Sequence, residues 1–196
     1  MATIYLIRHG QASFGADDYD KLSSLGCRQA SVLGEYLAAC GIRFDAIYSG
    51  DLLRQRETAR MACELQSEDL ELQIDQRFNE IDNDEQLKYL TPEVIKTNES
   101  IQALVERGLS SSKDYQKVID AVFNYWVSPQ CDEPRIQSWA DYSTGVQQAL
   151  RDVMVEQGGG KTVGVFTSGG TIATAVAHVL GLSGELTYQF YEPIFN

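Results

Sequence analysis

Alternating strands and helices predict an α/β fold, a three-layer α/β/α arrangement with a mostly parallel central sheet and a helical cap insertion. Two observations predict it. A short β-branched or aromatic run, followed by a polar or glycine-containing loop and then by a segment with apolar residues at helical spacing, recurs three times along the chain. Between the second and third repeats, from Asp82 to about Gln137, strand-like runs are few, and three of the four prolines fall there.

The first repeat opens with Thr3-Ile4-Tyr5-Leu6-Ile7, a strand that ends abruptly in Arg8-His9-Gly10. Residues 11–20 read as a loop with Gly15 and the Asp17-Asp18 pair as breakers. A serine N-cap in Leu22-Ser23-Ser24-Leu25-Gly26 introduces a helix with Ala30, Leu33, Leu37 and Ala38 on one face, closed by Cys40-Gly41. The second repeat runs from a strand over residues 42–48, through Ser49-Gly50-Asp51 as turn and N-cap, into a helix carrying Leu53, Arg54, Glu57, Thr58 and Met61. Alternation over residues 70–74 predicts a half-buried strand leading into Arg77-Phe78-Asn79-Glu80. In the segment that follows, Tyr115, Val118, Ile119, Val122, Phe123 and Trp126 mark an amphipathic helix, and Ile101, Leu104, Val105 and Leu109 sketch another. Its aromatics read as a packing face. The third repeat is a helix bearing Tyr142, Val146, Ala149, Leu150 and Val153 that ends at Gly158-Gly159-Gly160, a buried strand over residues 162–166, the loop Thr167-Ser168-Gly169-Gly170, and a helix with Ile172, Ala175, Val176, Val179 and Leu180 inward.

A chain of 196 residues fits a single domain, residues 1–196, with the insertion at about 83–137. Sixteen basic against twenty-eight acidic residues give a formal charge of −12, which disfavours nucleic acid and anionic membrane as partners. No apolar run is long enough to span a membrane, and Met1 leads straight into a strand, so a cytoplasmic protein is expected. Cys27, Cys40, Cys63 and Cys131 show no Cys-x-x-Cys spacing and read as buried small hydrophobes. Neither a metal nor another cofactor is called for.

In a parallel sheet, sites gather at the carboxyl ends of the strands, so the three loops should converge. The first supplies His9 and Arg8, the second Arg54, and the third the amides of Gly169 and Gly170 at a helix N-terminus. Two arginines and such an N-terminus would cage one phosphoryl group, and positive neighbours keep the imidazole neutral with a ring nitrogen free to attack. Glu80, beside the insertion, is placed to protonate a leaving oxygen. Plainer readings stand beside these: Arg54 as a surface arginine paired with Glu57 or Asp51, Glu80 as one solvated acid among Asp82, Asp84 and Glu85, and the glycines as turn formers.

Taken together, these residues resemble the histidine phosphatase superfamily, the phosphoglycerate-mutase-like proteins. Leu6-Ile7-Arg8-His9-Gly10-Gln11 is similar to the family signature whose histidine becomes phosphorylated. Leu22-Ser23-Ser24-Leu25-Gly26-Cys27-Arg28-Gln29-Ala30 resembles its Leu-Thr-x-x-Gly-x-x-Gln-Ala stretch. Ser49-Gly50-Asp51-Leu52-Leu53-Arg54 with Thr58-Ala59 resembles the segment bringing the second phosphate-binding arginine, and Arg77-Phe78-Asn79-Glu80-Ile81-Asp82 the one bearing the proton donor. The matches fall in the family's order at both ends of the chain.

The resemblance implies a metal-independent phosphatase acting on small phosphomonoesters through a phosphohistidine on His9. Arg8, Arg54, Ser168 and Gly169 would hold the phosphate, Glu80 would be the acid, and Ser13 and Gly170 would be possible further contacts. Three features depart from the family pattern. Ser168 stands where the family has its second core histidine, and His178 lies opposite its helix's apolar stripe, where it is not expected to substitute. Gly15 replaces an asparagine that often follows the signature, and Asn196 falls about where the family continues into a last short strand, so a trimmed form or a differently built edge is expected. A family member without useful turnover, binding phosphorylated ligands or protein partners, is the alternative. A phosphoglycerate mutase ranks third, since nothing after Glu80 resembles the mutases' substrate-gripping segment.

Overall fold

The computed structural model describes residues 2–13 and 20–190; Gly15, the Asp17-Asp18 pair and the last six residues lie outside the described residues. The chain divides into two compact units, Met1–Glu80 with Gly145–Ile172, and Ile81–Thr144 with Ala173–Asn196.

The first unit carries the sheet. Its strands are β1 (Thr3–Arg8), β2 (Ala46–Ser49), β3 (Leu72–Ile74) and β4 (Thr162–Thr167), all parallel, in the order β1-β4-β2-β3. Helix α1 (Ser24–Ala39) joins β1 to β2 and α2 (Leu53–Ala62) joins β2 to β3, two crossovers that step the same way across the sheet. Right-handed connection puts both helices on one face. There Leu37, Phe44, Ile47, Ala59, Ala62 and Phe166 form a core, and α1 meets α2 so closely that a Cβ on Gly34 would lie 2.8 Å from the Ala62 carbonyl oxygen. Helix α6 (Trp139–Gln157) precedes β4, which steps back, so its later residues cover the opposite face. Tyr48, whose neighbour Ile47 points into the α1–α2 core, donates its hydroxyl to Glu156 Oε2 at 2.9 Å and accepts from Gln157 Nε2 at 2.8 Å. The result is the expected three-layer α/β arrangement.

Two strands are shorter than their patterns suggest. Residues 42–44 stay outside the sheet because the Ile42 amide bonds to the Leu37 carbonyl and the Phe44 amide to Gln66 Oε1, and pairing with β4 begins only at the Asp45 amide, which donates to the Thr162 carbonyl. Among the described residues β3 pairs on one side only and keeps three residues, with Ile74 46% exposed.

In the second unit the described residues after Ile81 form α3 (Asn83–Val94), α4 (Glu99–Arg107) and α5 (Ser112–Trp126). Val118, Val122, Phe123 and Trp126 are buried, as the periodicity of α5 predicts, although Tyr115 at its start is exposed. The aromatics do pack on one another: Phe123 lies 5.1 Å from Tyr188, Trp126 lies 5.3 Å from Trp139, and Trp126 Nε1 donates to the Gln137 carbonyl. Leu109 falls beyond α4, which Gly108 ends at φ +84°, and is exposed. In α7 (Gly169–Val179) the stripe expected inward fails at its far end, since Val179 is 77% exposed, while Thr171 to Ala175 are buried in succession. All four cysteines are free, and none is a buried core residue: Cys40 is exposed and the other three are half-buried.

Candidate active site

The parallel register sets Arg8 opposite Thr167 and Ser49 opposite Phe166, so β1, β4 and β2 end at one level. Beyond the ladder the His9 amide still donates to the Thr167 carbonyl at 2.9 Å. The next residues are clamped by backbone contact. A Cβ on Gly10 would lie 2.5 Å from the Gly26 carbonyl oxygen, and one on Gly26 would lie 2.1 Å from that of Gln11, so neither position admits a side chain. The Gly10 amide donates to Thr58 Oγ1 at 3.0 Å, the Gln11 amide donates to Gln29 Oε1, and Ser23 both caps α1 and donates to Gln11 Oε1. The Gly26 and Gln29 positions are thereby explained: they fasten the start of α1 to the loop that carries His9.

The His9 ring has one nitrogen committed. Nδ1 is 2.7 Å from the Gly10 carbonyl oxygen, which can only accept, so Nδ1 carries the proton and Nε2 keeps its lone pair. Arg54 Nε–H donates to Nε2 at 3.3 Å. Burial lowers the His9 pKa from its ordinary 6.5 to about 4, with Arg54 and Arg8 adding to the shift against the opposing effects of the Gly10 hydrogen bond and Asp20. The imidazole is neutral at physiological pH.

Arg54, only 8% exposed, also places Nη1 2.7 Å from Asp20 Oδ1. Asp20 Oδ2 accepts from the Leu53 amide at 2.7 Å, so this one carboxylate both orients the guanidinium and satisfies an amide at the start of α2. That corrects two expectations. Asp51 does not cap α2, whose N-cap position is Leu52 with no side-chain bond; Asp51 instead pairs with Arg56 at 3.2 Å. Nor is Arg54 a surface arginine on Glu57, which accepts from the Leu22 amide.

At the end of β4 the groups nearest the strand are uncharged and buried, with the half-buried Glu80 carboxyl beside them. Ser168 has no exposed surface, and its Oγ accepts from Gln55 Nε2 at 2.8 Å. The same amide nitrogen donates to the Phe78 carbonyl at 3.1 Å, which Thr167 Oγ1 also bonds. Thr171 Oγ1 donates to the Asn79 carbonyl, so the turn Gln76–Phe78 and the residues after it are tied to the junction of β4 and α7. Glu80 is held there, its Oε2 accepting from the Gly170 amide at 3.2 Å.

The expected residues therefore fall into two groups at adjacent strand ends. His9, Arg8 and Arg54 stand together at β1, and Ser168, Gly169, Gly170 and Glu80 at β4. Ser13 stands beside the Ala12–Leu22 bridge, its amide on the Lys21 carbonyl. His178, half-buried in the last turn of α7, belongs to the other unit. Asp20, Gln55 and the role of Thr58 were not foreseen. Nothing in the local sequence marks Asp20, 34 residues from Arg54; Gln55 carried a signal as a neutral polar residue on a helix turn otherwise expected to face a phosphate.

A sequence model of the histidine phosphatase superfamily (branch 1) matches residues 4–107, more than half of the chain. The chain belongs to the histidine phosphatase superfamily. Among curated proteins it is similar to the 2,3-bisphosphoglycerate-dependent phosphoglycerate mutase of Rhizobium etli (strain CIAT 652), 35% identical over 88 residues that cover 41% of each chain. Solved structures sharing the fold include a phosphoserine phosphatase variant from Entamoeba histolytica bound to phosphoserine (TM-score 0.63, 20% identity, 96% of this chain and 85% of that one). The phosphoglycerate mutase of Bacillus anthracis (TM-score 0.63, 23% identity, 90% and 79%) and the α-ribazole phosphatase of Shigella flexneri (TM-score 0.63, 18% identity, 95% and 83%) share it as well. The superfamily thus has both phosphatases and mutases among this chain's structural neighbours.

Among the described residues no group of three or more His, Cys, Asp and Glu side chains could hold a metal ion, and no helix is long and apolar enough to cross a membrane.

Proposed function

We propose that the chain is a metal-independent phosphomonoesterase that works through a phosphohistidine on His9. The observation that carries this reading is the His9 imidazole itself, neutral and with its Nδ1 proton fixed on Gly10, so that the Nε2 lone pair faces the Arg54 guanidinium. A phosphoryl group drawn in by Arg54 and Arg8 meets that lone pair. Nε2 forms the bond to phosphorus as the bond to the leaving oxygen breaks, and Glu80 supplies the proton to that oxygen. Water then attacks the phosphohistidine, gives its proton back to Glu80, and releases phosphate and free His9. Ser168 and the Gly169 amide contribute neutral donors to the phosphoryl oxygens, with Ser13 and Gly170 as further contacts. A net charge of −12 supports a small phosphorylated substrate over nucleic acid or an anionic membrane, and a cytoplasmic setting fits the same composition.

Hydrolysis of p-nitrophenyl phosphate tests the assignment. His9→Ala is expected to lower the rate by a factor on the order of 10⁴ or more; an unchanged rate would refute the nucleophile.

One observation favours a second reading, a member that binds phosphorylated ligands without useful turnover. Ser168 offers a neutral hydroxyl where the family resemblance places a histidine, and a charge-assisted bond is about twice as strong as a neutral one. If wild type hydrolyses nothing and Ser168→His gains hydrolysis, that second reading holds. A mutase reading comes third and predicts isomerisation of phosphoglycerate stimulated by a bisphosphoglycerate.

A further inference from the structure

We propose that Asp20, to which neither the family resemblance nor the catalytic reading gives a role, is a positioning residue that holds the Arg54 guanidinium against His9, so that Nε–H is presented to an incoming phosphoryl oxygen. This rests on the reading that the His9 site binds phosphoryl groups, and it names what keeps the second arginine of that site in place.

Both oxygens of the Asp20 carboxylate are committed. Oδ2 accepts from the Leu53 amide at 2.7 Å, which ties the side chain to the backbone at the start of α2, and Oδ1 lies 2.7 Å from Nη1 of the next residue, Arg54. The N-cap position of α2, Leu52, makes no side-chain bond, so a carboxylate from before α1 sets both the start of this helix and the arginine in its first turn. A guanidinium is planar and rigid. Held at Nη1 by Asp20, and with Nε–H donating to His9 Nε2 at 3.3 Å, it has both its place and its plane fixed. The Nε–H bond is directed at the very lone pair that would attack phosphorus. An oxygen that takes over this hydrogen bond brings its phosphorus to the nucleophile.

Charge works against the arrangement. A carboxylate next to an anion site repels the anion, so an aspartate that served only to neutralise a buried arginine would weaken phosphate binding. Positioning and neutralisation therefore predict opposite outcomes when the charge alone is removed.

Asp20→Asn removes it, because an asparagine side-chain oxygen can still accept from the Leu53 amide. Two measurements are made: binding of inorganic phosphate at neutral pH by calorimetry, and an NMR titration of the His9 Cε1 proton without ligand. Wild type is expected to bind phosphate, and Asp20→Asn to bind it about tenfold more weakly, the worth of one bond to a charged group. Unchanged or tighter binding overturns the inference and leaves Asp20 a neutralising charge. In the titration the sign is again decisive, since Arg54 lowers the His9 pKa more than Asp20 raises it. If Asp20→Asn releases Arg54, both influences are lost and the midpoint rises from about 4; if Arg54 stays in place, only the raising influence is lost and the midpoint falls. A rise is expected, and a midpoint that falls or does not move overturns the inference. Should Asp20→Asn fail to fold, Asp20→Glu keeps the charge and displaces it by one methylene. Weaker phosphate binding is then expected, and wild-type affinity overturns the inference. No binding by wild type overturns the phosphoryl-site reading and the inference with it.

Discussion

Two consecutive residues of α2 serve two adjacent strand ends by different physics. Arg54 turns to the end of β1, where its guanidinium meets the His9 ring and the Asp20 carboxylate; Gln55 turns to the end of β4, where its amide meets only Ser168 and a carbonyl. On the first side the parts are charged or chargeable, and the state of the His9 ring follows pH. On the second, Gln55, Ser168 and the Phe78 carbonyl are neutral, buried and fixed by who can donate to whom, with the Glu80 carboxyl beside them. The difference teaches that one site can join an electrostatic side to a geometric one. On the proposed function, the charged side would draw the anion and ready His9, while the buried amide and hydroxyl of Gln55 and Ser168 hold a shape.

The largest effect expected from breaking this contrast lies on the charged side. Arg54→Ala should lower kcat/KM for p-nitrophenyl phosphate by about 10²–10³, the loss seen when a preorganised donor to a developing anion is removed. A loss under tenfold would mean that Arg8 alone manages the phosphoryl charge. Thr58→Val comes next, since it leaves the buried Gly10 amide without its acceptor and should cost about 1–3 kcal/mol in urea unfolding. The smallest effect sharpens the contrast. In an NMR titration the His9 Cε1 proton should change near pH 4 and not near 6.5, and Arg54→Met should move that midpoint upward by less than about one unit, because burial is the larger cause. The sign for stability follows: with a folded pKa below the ordinary 6.5, the native state keeps its full advantage above 6.5 and loses it as pH falls toward about 4.

Much of the fold was legible because its signals are local. The three strand-loop-helix repeats, the Ser23 cap, the Gly41 stop at φ +68° and the glycines after α6 can each be read from a few adjacent residues. Strand lengths were not, since β3 and the start of β2 depend on partners that a window of sequence does not contain. In the candidate site, the residues with distinctive chemistry, His9, Arg8, Arg54, Glu80 and Ser168, could be singled out in advance. Asp20 could not, because an aspartate near a breaker-rich loop looks like any other until Leu53 and Arg54 are brought against it. The aromatics of α5 were recognised as packing because helical spacing alone places them on one face.

By itself, then, the sequence determined the class of fold, the order of its elements and the chemistry available at Arg8-His9-Gly10, since periodicity, caps and side-chain type are properties of neighbouring residues. Only the tertiary structure decided how that chemistry is set. The proton on His9 Nδ1, the low pKa of its ring, the bridging of Arg54 and Leu53 by Asp20, and the bond from Gln55 to Ser168 all arise from groups between one and 113 positions apart in the chain. Burial and hydrogen-bond direction exist only once those groups have met.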